Sequence, residues 1–288
     1  MNREVQRRTV LLCIVMIIIG ICLFVNAVSG ISLLWDKDGE QDNSAQVMAS
    51  AQEVISAGGE LNLTESSEKI KYIQSHTNLY PEELLDLLSR NVETVDFVYS
   101  YPHLAEAGLN TEKAADSIVL TAEETRNPYP LLLQWDSRWG AIPYGSSMMA
   151  LSGCGPTCLS MAVVGLTGNA AATPAAIANF AMEQGYYIEG TGTAWSLMSE
   201  GCSNYGLKSE EISLTEKEMS RKLEEGCVLI CSVSEGDFTQ TGHFIVIYDY
   251  EDGWFKVNDP NSIDRSNAKW KFDRLEGQIR NIWALSAE

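Results

Sequence analysis

The chain has 288 residues, of which 39 are Asp or Glu and 20 are Lys or Arg, so its formal net charge is −19. A hydrophobic fraction of 45% is typical of folded proteins and excludes an intrinsically disordered chain. The acidity also makes nucleic acid and anionic lipid surfaces poor partners, because both are bound by clusters of Lys and Arg.

The charge is unevenly distributed along the chain. Residues 1–30 carry a net charge of +2, residues 31–127 carry −12, and residues 128–288 carry −9. The protein therefore has a short basic N-terminal segment, and the rest of the chain is strongly acidic.

Residues 9–31 form an uncharged apolar run that is long enough to span a bilayer. Arginines occur only on its N-terminal side, so the positive-inside rule places residues 1–8 in the cytoplasm as a basic tail. We predict a transmembrane signal anchor at 9–31, which holds the rest of the chain outside the cell at the cell membrane. The alternative is a cleaved signal peptide and a secreted protein, since Val25-Asn26-Ala27 loosely fits a small-residue cleavage site.

Residues 32–127 are predicted to be a polar stalk followed by a helical lead-in. Apolar residues at helical spacing, and Pro followed by acidic residues in a first turn, indicate a series of helices. The predicted helices lie around Ala45–Ala57, at Ser66–Ser75, from Pro81 onward, at Glu93–Tyr99 and at Thr111–Thr125. Two interpretations remain open: a spacer or small docking module, or a lead-in that packs on the following domain.

A domain boundary is predicted near Asn127-Pro128, and residues 128–288 are long enough to form one compact core. In this part of the chain Gly, Trp and Tyr become frequent and apolar runs typical of β-strands appear. The clearest runs are Val228–Val233, His243–Tyr250 and Trp254–Val257.

Cys154 is the candidate nucleophile. Glycines on both sides allow a tight turn, and Pro156 suits the first turn of a helix, which places the sulfur at a helix N-terminus. There the helix dipole favours the reactive thiolate. Cys158, one turn later, is expected to point into the core. The alternative for Cys154 is a buried structural cysteine or half of a disulfide.

No metal or cofactor is expected. The later cysteines are not spaced as Cys-x-x-Cys pairs, and only one histidine occurs after residue 103. Five cysteines follow residue 153, an odd number that suggests at least one free thiol.

His243 begins an apolar strand, and Glu251-Asp252-Gly253 predicts a turn, so residues 243–259 should form a β-hairpin. A turn centred near Asp252 pairs positions whose numbers sum to about 503–505. His243 would then face residues around 260–262, and Asp259 would lie within one or two positions of it on the neighbouring strand. A carboxylate at one imidazole nitrogen fixes the tautomer and stabilises the imidazolium. Asn258 is the uncharged alternative, but its side chain should point to the opposite face.

These residues form a catalytic set with Cys154 as nucleophile, His243 as general base and then acid, and Asp259 as the group that orients it. The backbone N–H of Cys154 and a side-chain amide would stabilise the oxyanion. Gln134, which follows an apolar run, is the candidate amide; the alternative is a surface glutamine in a loop.

Four segments in this order resemble the bacteriocin-processing (double-glycine leader) peptidase-like family. They are Gln134-Trp135-Asp136-Ser137-Arg138-Trp139-Gly140, Gly153-Cys154-Gly155-Pro156-Thr157, Gly242-His243-Phe244-Ile245-Val246 and Asn258-Asp259-Pro260. The resemblance covers residues 128–288 and implies an α+β, papain-like cysteine peptidase fold, with the nucleophile helix packed on an antiparallel sheet. It assigns catalysis to Cys154, His243 and Asp259, with Gln134 as the oxyanion donor. Gln134 precedes the cysteine by twenty residues, which is similar to the stand-alone secreted branch.

The sequence therefore predicts a membrane-tethered extracellular cysteine peptidase that acts on a peptide or protein substrate. One alternative is a thiol amidase or acyltransferase acting on a non-peptide or cell-wall amide. Another is a catalytically silent binding module. Trp195, in a glycine-rich loop, would be either an aromatic platform beside the cleft or an ordinary core or rim residue.

Overall fold

The computed structural model describes residues 63–288, with side chains from residue 65 onward. The basic tail, the predicted anchor at 9–31 and the helix predicted around Ala45–Ala57 lie outside these residues. Within the described range, no helix is both long and apolar enough to cross a membrane.

The helices of this range have 4 to 14 residues. In chain order they are α1 (Leu63–Ser75), α2 (Glu82–Arg90), α3 (Val95–Glu106), α4 (Ala122–Arg126), α5 (Met149–Ser152), α6 (Cys154–Thr167), α7 (Pro174–Glu183), α8 (Ser196–Ser199), α9 (Glu216–Glu224), α10 (Ile263–Asn267) and α11 (Phe272–Leu275). Single 3₁₀ segments occupy Thr77–Leu79, Val92–Thr94, Glu112–Ser117 and Gly201–Tyr205.

The strands form a six-stranded antiparallel sheet in the order β5-β10-β6-β7-β8-β9 and two small hairpins, β1-β2 and β3-β4. They are β1 (Pro143–Tyr144), β2 (Ser147–Met148), β3 (Tyr187–Ile188), β4 (Gly192–Thr193), β5 (Leu207–Glu211), β6 (Val228–Ser234), β7 (Gly242–Glu251), β8 (Trp254–Asn258), β9 (Lys269–Trp270) and β10 (Ile279–Ala287). The three predicted strand runs lie within β6, β7 and β8, and the predicted α+β class is confirmed.

The sheet is covered on both faces. Along β6, Val228 and Ile230 join one buried cluster with α6, whereas Leu229 and Cys231 join a second cluster with Met219 of α9. Because side chains alternate between the two faces of a strand, burial on both sides explains why β6 is apolar almost without interruption. Helix α6 thus packs on the sheet as predicted.

Three of the predicted lead-in helices are found, one of them with a later start. Ser66–Ser75 lies within α1, and Pro81 is the N-cap of α2, with Glu82 and Glu83 in its first turn. The third helix, α3, begins at Val95, because the residues just before it form a 3₁₀ turn.

The single helix predicted at Thr111–Thr125 is wrong. A 3₁₀ segment ends at Ser117, and α4 begins separately at Ala122. Thr121 and Glu124 form a reciprocal capping box, which starts a new helix because it satisfies backbone N–H groups at its N-terminus.

The helices before residue 127 pack on the residues that follow. Leu84, Phe97 and Val98 share a buried cluster with Trp135 and Ala150. The described helices before residue 127 therefore belong to the same core as the beginning of the following domain.

An ion-pair network adds to this packing. Arg138 donates to both oxygens of Glu124 at 3.0 and 2.6 Å and also pairs with Asp136 at 2.6 Å. Through Glu124, helix α4 is held against the segment that precedes the candidate nucleophile.

Candidate active site

Cys154 is the first residue of α6, as the glycine and proline pattern predicts. Gly153 is the N-cap, and the helix is buried from Gly155 to Val164. Cys154 itself is partly exposed, whereas Cys158 is fully buried, and all five cysteines of the described chain are free thiols. Burial raises the pKa of the Cys158 thiol well above its ordinary value, which keeps it protonated and unreactive.

His243 and Asp259 are in direct contact. The register of β7 and β8 pairs Val246 with Asn258 and Ile247 with Val257, within the predicted range. His243 Nε2 and Asp259 Oδ1 lie 2.8 Å apart, and both side chains are buried. Asn258 instead donates from Nδ2 to two backbone carbonyls of the residues 129–130 at 3.1 Å each, so it does not orient the histidine.

Asp259 has two further partners that hold its carboxylate. The backbone N–H of Asn261 donates to Oδ1 at 2.8 Å, and Arg265 Nε donates to Oδ2 at 2.5 Å. Burial by itself would raise the pKa of this carboxyl, but the charges and hydrogen bonds of His243 and Arg265 outweigh it and hold the pKa below its usual value. Asp259 is therefore an ionised, fixed acceptor.

The His243 ring is polarised by its neighbours. Burial alone would lower its pKa, but the Asp259 charge and hydrogen bond, together with the nearby Cys154 side chain, raise the pKa to about 10. The imidazolium is thus favoured at neutral pH. Because Nε2 is engaged by Asp259, Nδ1 is the ring nitrogen that remains for Cys154.

Gln134 is a buried residue and not a surface amide. Its Nε2 donates to the Ala150 carbonyl at 2.8 Å, and its backbone N–H donates to the Pro260 carbonyl at 2.7 Å. The second N–H of the amide is not used by the Ala150 contact. Gln134 is therefore fixed between the segment that leads into α6 and the loop that carries Asp259.

Cys154, His243 and Gln134 line one cleft of about 810 Å³. Besides these three residues, its walls come from four parts of the chain, namely the lead-in, the β3-β4 region, the loop before β7 and the segment that follows Asp259. The contributing residues include Leu87, Arg90, Asn91, Gly190, Thr191, Gly192, Thr193, Trp195, Asp237, Phe238, Asn261 and Arg265. This volume lies within the usual range of ligand-binding pockets.

Trp195 differs in exposure from the two tryptophans before the nucleophile. Trp135 and Trp139 are buried, but Trp195 is 49% exposed, lines the cleft and packs edge-on against Trp283 with ring centroids 5.5 Å apart. Trp195 is thus a supported aromatic surface at the cleft, whereas the first two are core residues.

Sequence reasoning missed Arg265, Glu93 and Asn91. Arg265 is the second charged partner of Asp259. Glu93 and Asn91 lie in the lead-in, and their side chains form hydrogen bonds with the loop that follows Asp259. The short spacing between Asp259 and Arg265 was the only usable signal, because the other two contacts join residues 170 positions apart.

Among residues 63–288, no group of three or more His, Cys, Asp or Glu side chains is arranged to hold a metal ion. At the cleft, the candidate set supplies a thiol, an imidazole and an amide, and the Asp259 carboxylate lies behind the imidazole.

Comparison with protein families gives a match that covers the candidate site. The model of the Peptidase_C39-like family matches residues 127–287, more than half of the chain, and includes every residue of the candidate catalytic set. No curated protein matches the chain in a sequence search.

Proposed function

The chain belongs to the Peptidase_C39-like family, and from that membership we propose that it hydrolyses peptide bonds with Cys154, His243 and Asp259 as the catalytic triad and Gln134 as the oxyanion donor. Family membership indicates a cysteine peptidase with a peptide or protein substrate. The residue roles are supported by their positions around one cleft.

One observation carries the proposal. A partly exposed cysteine at a helix N-terminus shares the cleft with a buried histidine that a buried carboxylate holds at 2.8 Å. A nucleophile, a base and a group that orients the base are the minimum for thiol-based acyl transfer.

In the first half-reaction, His243 holds the proton as an imidazolium and Cys154 Sγ attacks the carbonyl carbon as a thiolate. The carbonyl electrons move to the oxygen and form a tetrahedral oxyanion. The oxyanion then collapses, the C–N bond breaks, and His243 donates its proton to the leaving amine. The product is a thioester on Cys154 and a released amine.

In the second half-reaction, the neutral imidazole of His243 takes a proton from water as the water oxygen attacks the thioester. The C–S bond breaks, the carboxylic acid product leaves, and the thiolate–imidazolium pair is restored. Asp259 stays ionised throughout, because its role is to orient and stabilise the ring.

The oxyanion requires two donors. The Cys154 N–H lies at the N-terminus of α6, where no residue of its own helix accepts it. The second is the free N–H of the Gln134 amide, which a buried hydrogen bond to Ala150 holds in place.

Active-site labelling tests the proposal without a known substrate. A peptide electrophile that reacts with thiols should label Cys154 selectively, and Cys154→Ala should abolish both labelling and peptide hydrolysis without unfolding the protein. Cys227→Ala is the matched control, since Cys227 is the other partly exposed cysteine of the described chain. Full hydrolysis by the Cys154→Ala variant would contradict the proposal.

Product analysis by mass spectrometry separates the related possibilities. Incubation with a peptide library and with cell-wall fragments should give peptide hydrolysis products. Turnover of wall fragments or acyl transfer alone would identify a thiol amidase or acyltransferase, and no turnover on either substrate would identify a binding module.

We further propose that residues 9–31 tether the protein to the cell membrane with the peptidase domain outside. The support is the uncharged apolar run with its N-terminal arginines. Protease treatment of intact cells should remove the domain and leave a short membrane-bound fragment; a domain protected until the cells are lysed would contradict this placement.

A further inference from the structure

The loop that carries Asp259 is folded around helix α10. Arg265 of this helix donates to the Asp259 carboxylate, and Ser266 Oγ accepts from the Asp259 backbone N–H at 2.9 Å. Ser262 Oγ caps the helix by accepting from the Arg265 N–H at 3.1 Å. The position of α10 therefore determines where the Asp259 carboxylate points.

The lead-in holds the beginning of α10. Glu93, in the 3₁₀ turn Val92–Thr94, accepts from Ser262 Oγ at 2.5 Å with Oε1 and from the Ile263 N–H at 2.6 Å with Oε2. Both carboxylate oxygens thus accept hydrogen bonds from residues 169 and 170 positions away. These residues lie at a helix start, where backbone N–H groups have no partner within the helix.

A second side chain strengthens this contact. Asn91 Nδ2 donates to the Asn261 carbonyl at 2.6 Å, while Asn91 Oδ1 accepts from the Glu93 N–H at 3.1 Å. Asn91 lines the cleft, whereas Glu93 is not among the residues that line it. Any effect of Glu93 on the reaction must therefore pass through other residues.

We propose that Glu93 is a positioning residue for the His243–Asp259 pair and that it acts through α10. This role rests on the proposed function, since it concerns the same triad. Without the Glu93 carboxylate, α10 loses its anchor, and Arg265 and Ser266 no longer hold Asp259 in one orientation. The imidazolium beside Cys154 is then less well fixed, so the thiolate is less favoured.

The test compares Glu93→Gln with Glu83→Gln in the full chain. Glu83→Gln removes the same charge from an exposed position of the same segment. Iodoacetamide alkylation of Cys154 is followed against pH, with the modified residue identified by peptide mapping and melting temperatures recorded. Glu93→Gln should slow alkylation at pH 7 about tenfold and shift the profile to higher pH, because the thiolate loses its fixed imidazolium partner. Glu83→Gln should reproduce the wild-type profile.

A double-mutant cycle shows whether Asp259 transmits the effect. In an Asp259→Asn background, Glu93→Gln should change the alkylation profile no further. Ser262→Ala, which removes the partner of Glu93 Oε1, should shift the profile in the same direction as Glu93→Gln and provides the test if Glu93→Gln does not fold.

The proposal is overturned if Glu93→Gln keeps the wild-type profile, or if its effect is equally large in the Asp259→Asn background. If the wild type and His243→Ala show the same pH dependence of Cys154 alkylation, the proposed triad is overturned, and the role of Glu93 is overturned with it. The two failures are therefore distinguishable.

Discussion

Asp259 has the most constrained side chain of the site. It is completely buried, yet it accepts from His243, Asn261 and Arg265, so that its negative charge is fully matched. A buried carboxylate without such partners would be protonated. The surrounding donors therefore keep Asp259 ionised. Removing its charge should reduce catalytic activity more than it perturbs the folded structure.

Asp259→Asn should lower turnover about 10³–10⁴-fold, since neutralising a buried triad carboxylate leaves the imidazole without the anion that orients it and stabilises its charged form. The pKa of His243 should fall at the same time. Steady-state hydrolysis and NMR titration of the ring measure the two effects. Asp252→Asn, in the exposed turn between β7 and β8, is the control and should retain wild-type turnover.

The same pair makes stability depend on pH in a defined direction. The His243 pKa is raised from 6.5 to about 10, so its contribution is fully present below 6.5 and is lost as pH rises through about 10. The Asp259 pKa is lowered from 3.8, so its contribution is present above 3.8 and is lost as pH falls through the lower folded value.

The stability difference between wild type and Asp259→Asn should therefore be largest between pH 3.8 and 6.5 and should shrink on either side. Urea denaturation at a series of pH values measures this difference. A difference that stays constant from pH 4 to pH 10 would show that the two groups do not form a charged pair in the folded protein.

Gln134→Ala should reduce kcat about 10²–10³-fold with little change in KM, because an oxyanion donor acts on the transition state more than on the bound substrate. Kinetics on any peptide that the wild type cleaves provide the measurement. Gln74→Ala, which removes an exposed glutamine of α1, is the control. An equal rise in KM with unchanged kcat would instead assign Gln134 to substrate binding.

At the scale of elements, the β3-β4 hairpin packs directly on the start of α6. A Cβ at Gly155 would lie 2.5 Å from Thr193 Oγ1 and 2.6 Å from Thr193 Cβ, and Tyr144 fixes the same hydroxyl at 2.8 Å. Glycine after the nucleophile is thus required by this close approach, in addition to leaving the sulfur open.

Gly155→Ala should destabilise the protein by about 1–3 kcal/mol, because the added methyl group forces the hairpin away from α6. Thermal and chemical denaturation measure the loss. Combining it with Thr193→Gly, which removes the clashing atoms, should recover part of the stability. Gly277→Ala, at a site with open space around the added Cβ, should have little effect. A Gly155→Ala variant as stable as Gly277→Ala would contradict the close packing.

The hairpin of β7 and β8 could be predicted because its determinants are local. One turn signal at Asp252-Gly253 sets the register, and the register brings Asp259 to His243. The edge strand β5, with sequence Leu-Lys-Ser-Glu-Glu, was not predicted, because only Leu207 of its side chains is buried and no apolar alternation marks it. The C-terminal β10 lies between β5 and β6, a position that depends on contacts distant in sequence.

The part of the site that could not be predicted depends on the whole molecule. Cys154, His243 and Asp259 are each marked by glycine, proline or turn residues next to them. Glu93 and Asn91 have no such mark, since their partners lie 170 residues further along the chain. Helices α2 and α3 make the same connection with apolar side chains, which joins the lead-in to Trp135 and Ala150 in one core.

This shared core predicts that the lead-in and the peptidase domain unfold together. Leu84 is fully buried in it, so Leu84→Ala should cost about 2–5 kcal/mol through lost burial and the cavity left behind. Leu79→Ala, at a leucine of the same segment that is 43% exposed, is the matched control and should cost far less.

Hydrogen exchange shows how far the destabilisation extends. If the described chain is one cooperative unit, Leu84→Ala should lower the protection of the β6 amides by the same free energy that denaturation reports, although β6 lies in the sheet and Leu84 lies in α2. Unchanged protection in β6, together with faster exchange confined to the lead-in, would show that the lead-in opens on its own. In that case the contacts of Glu93 would be broken and remade while the sheet stays folded.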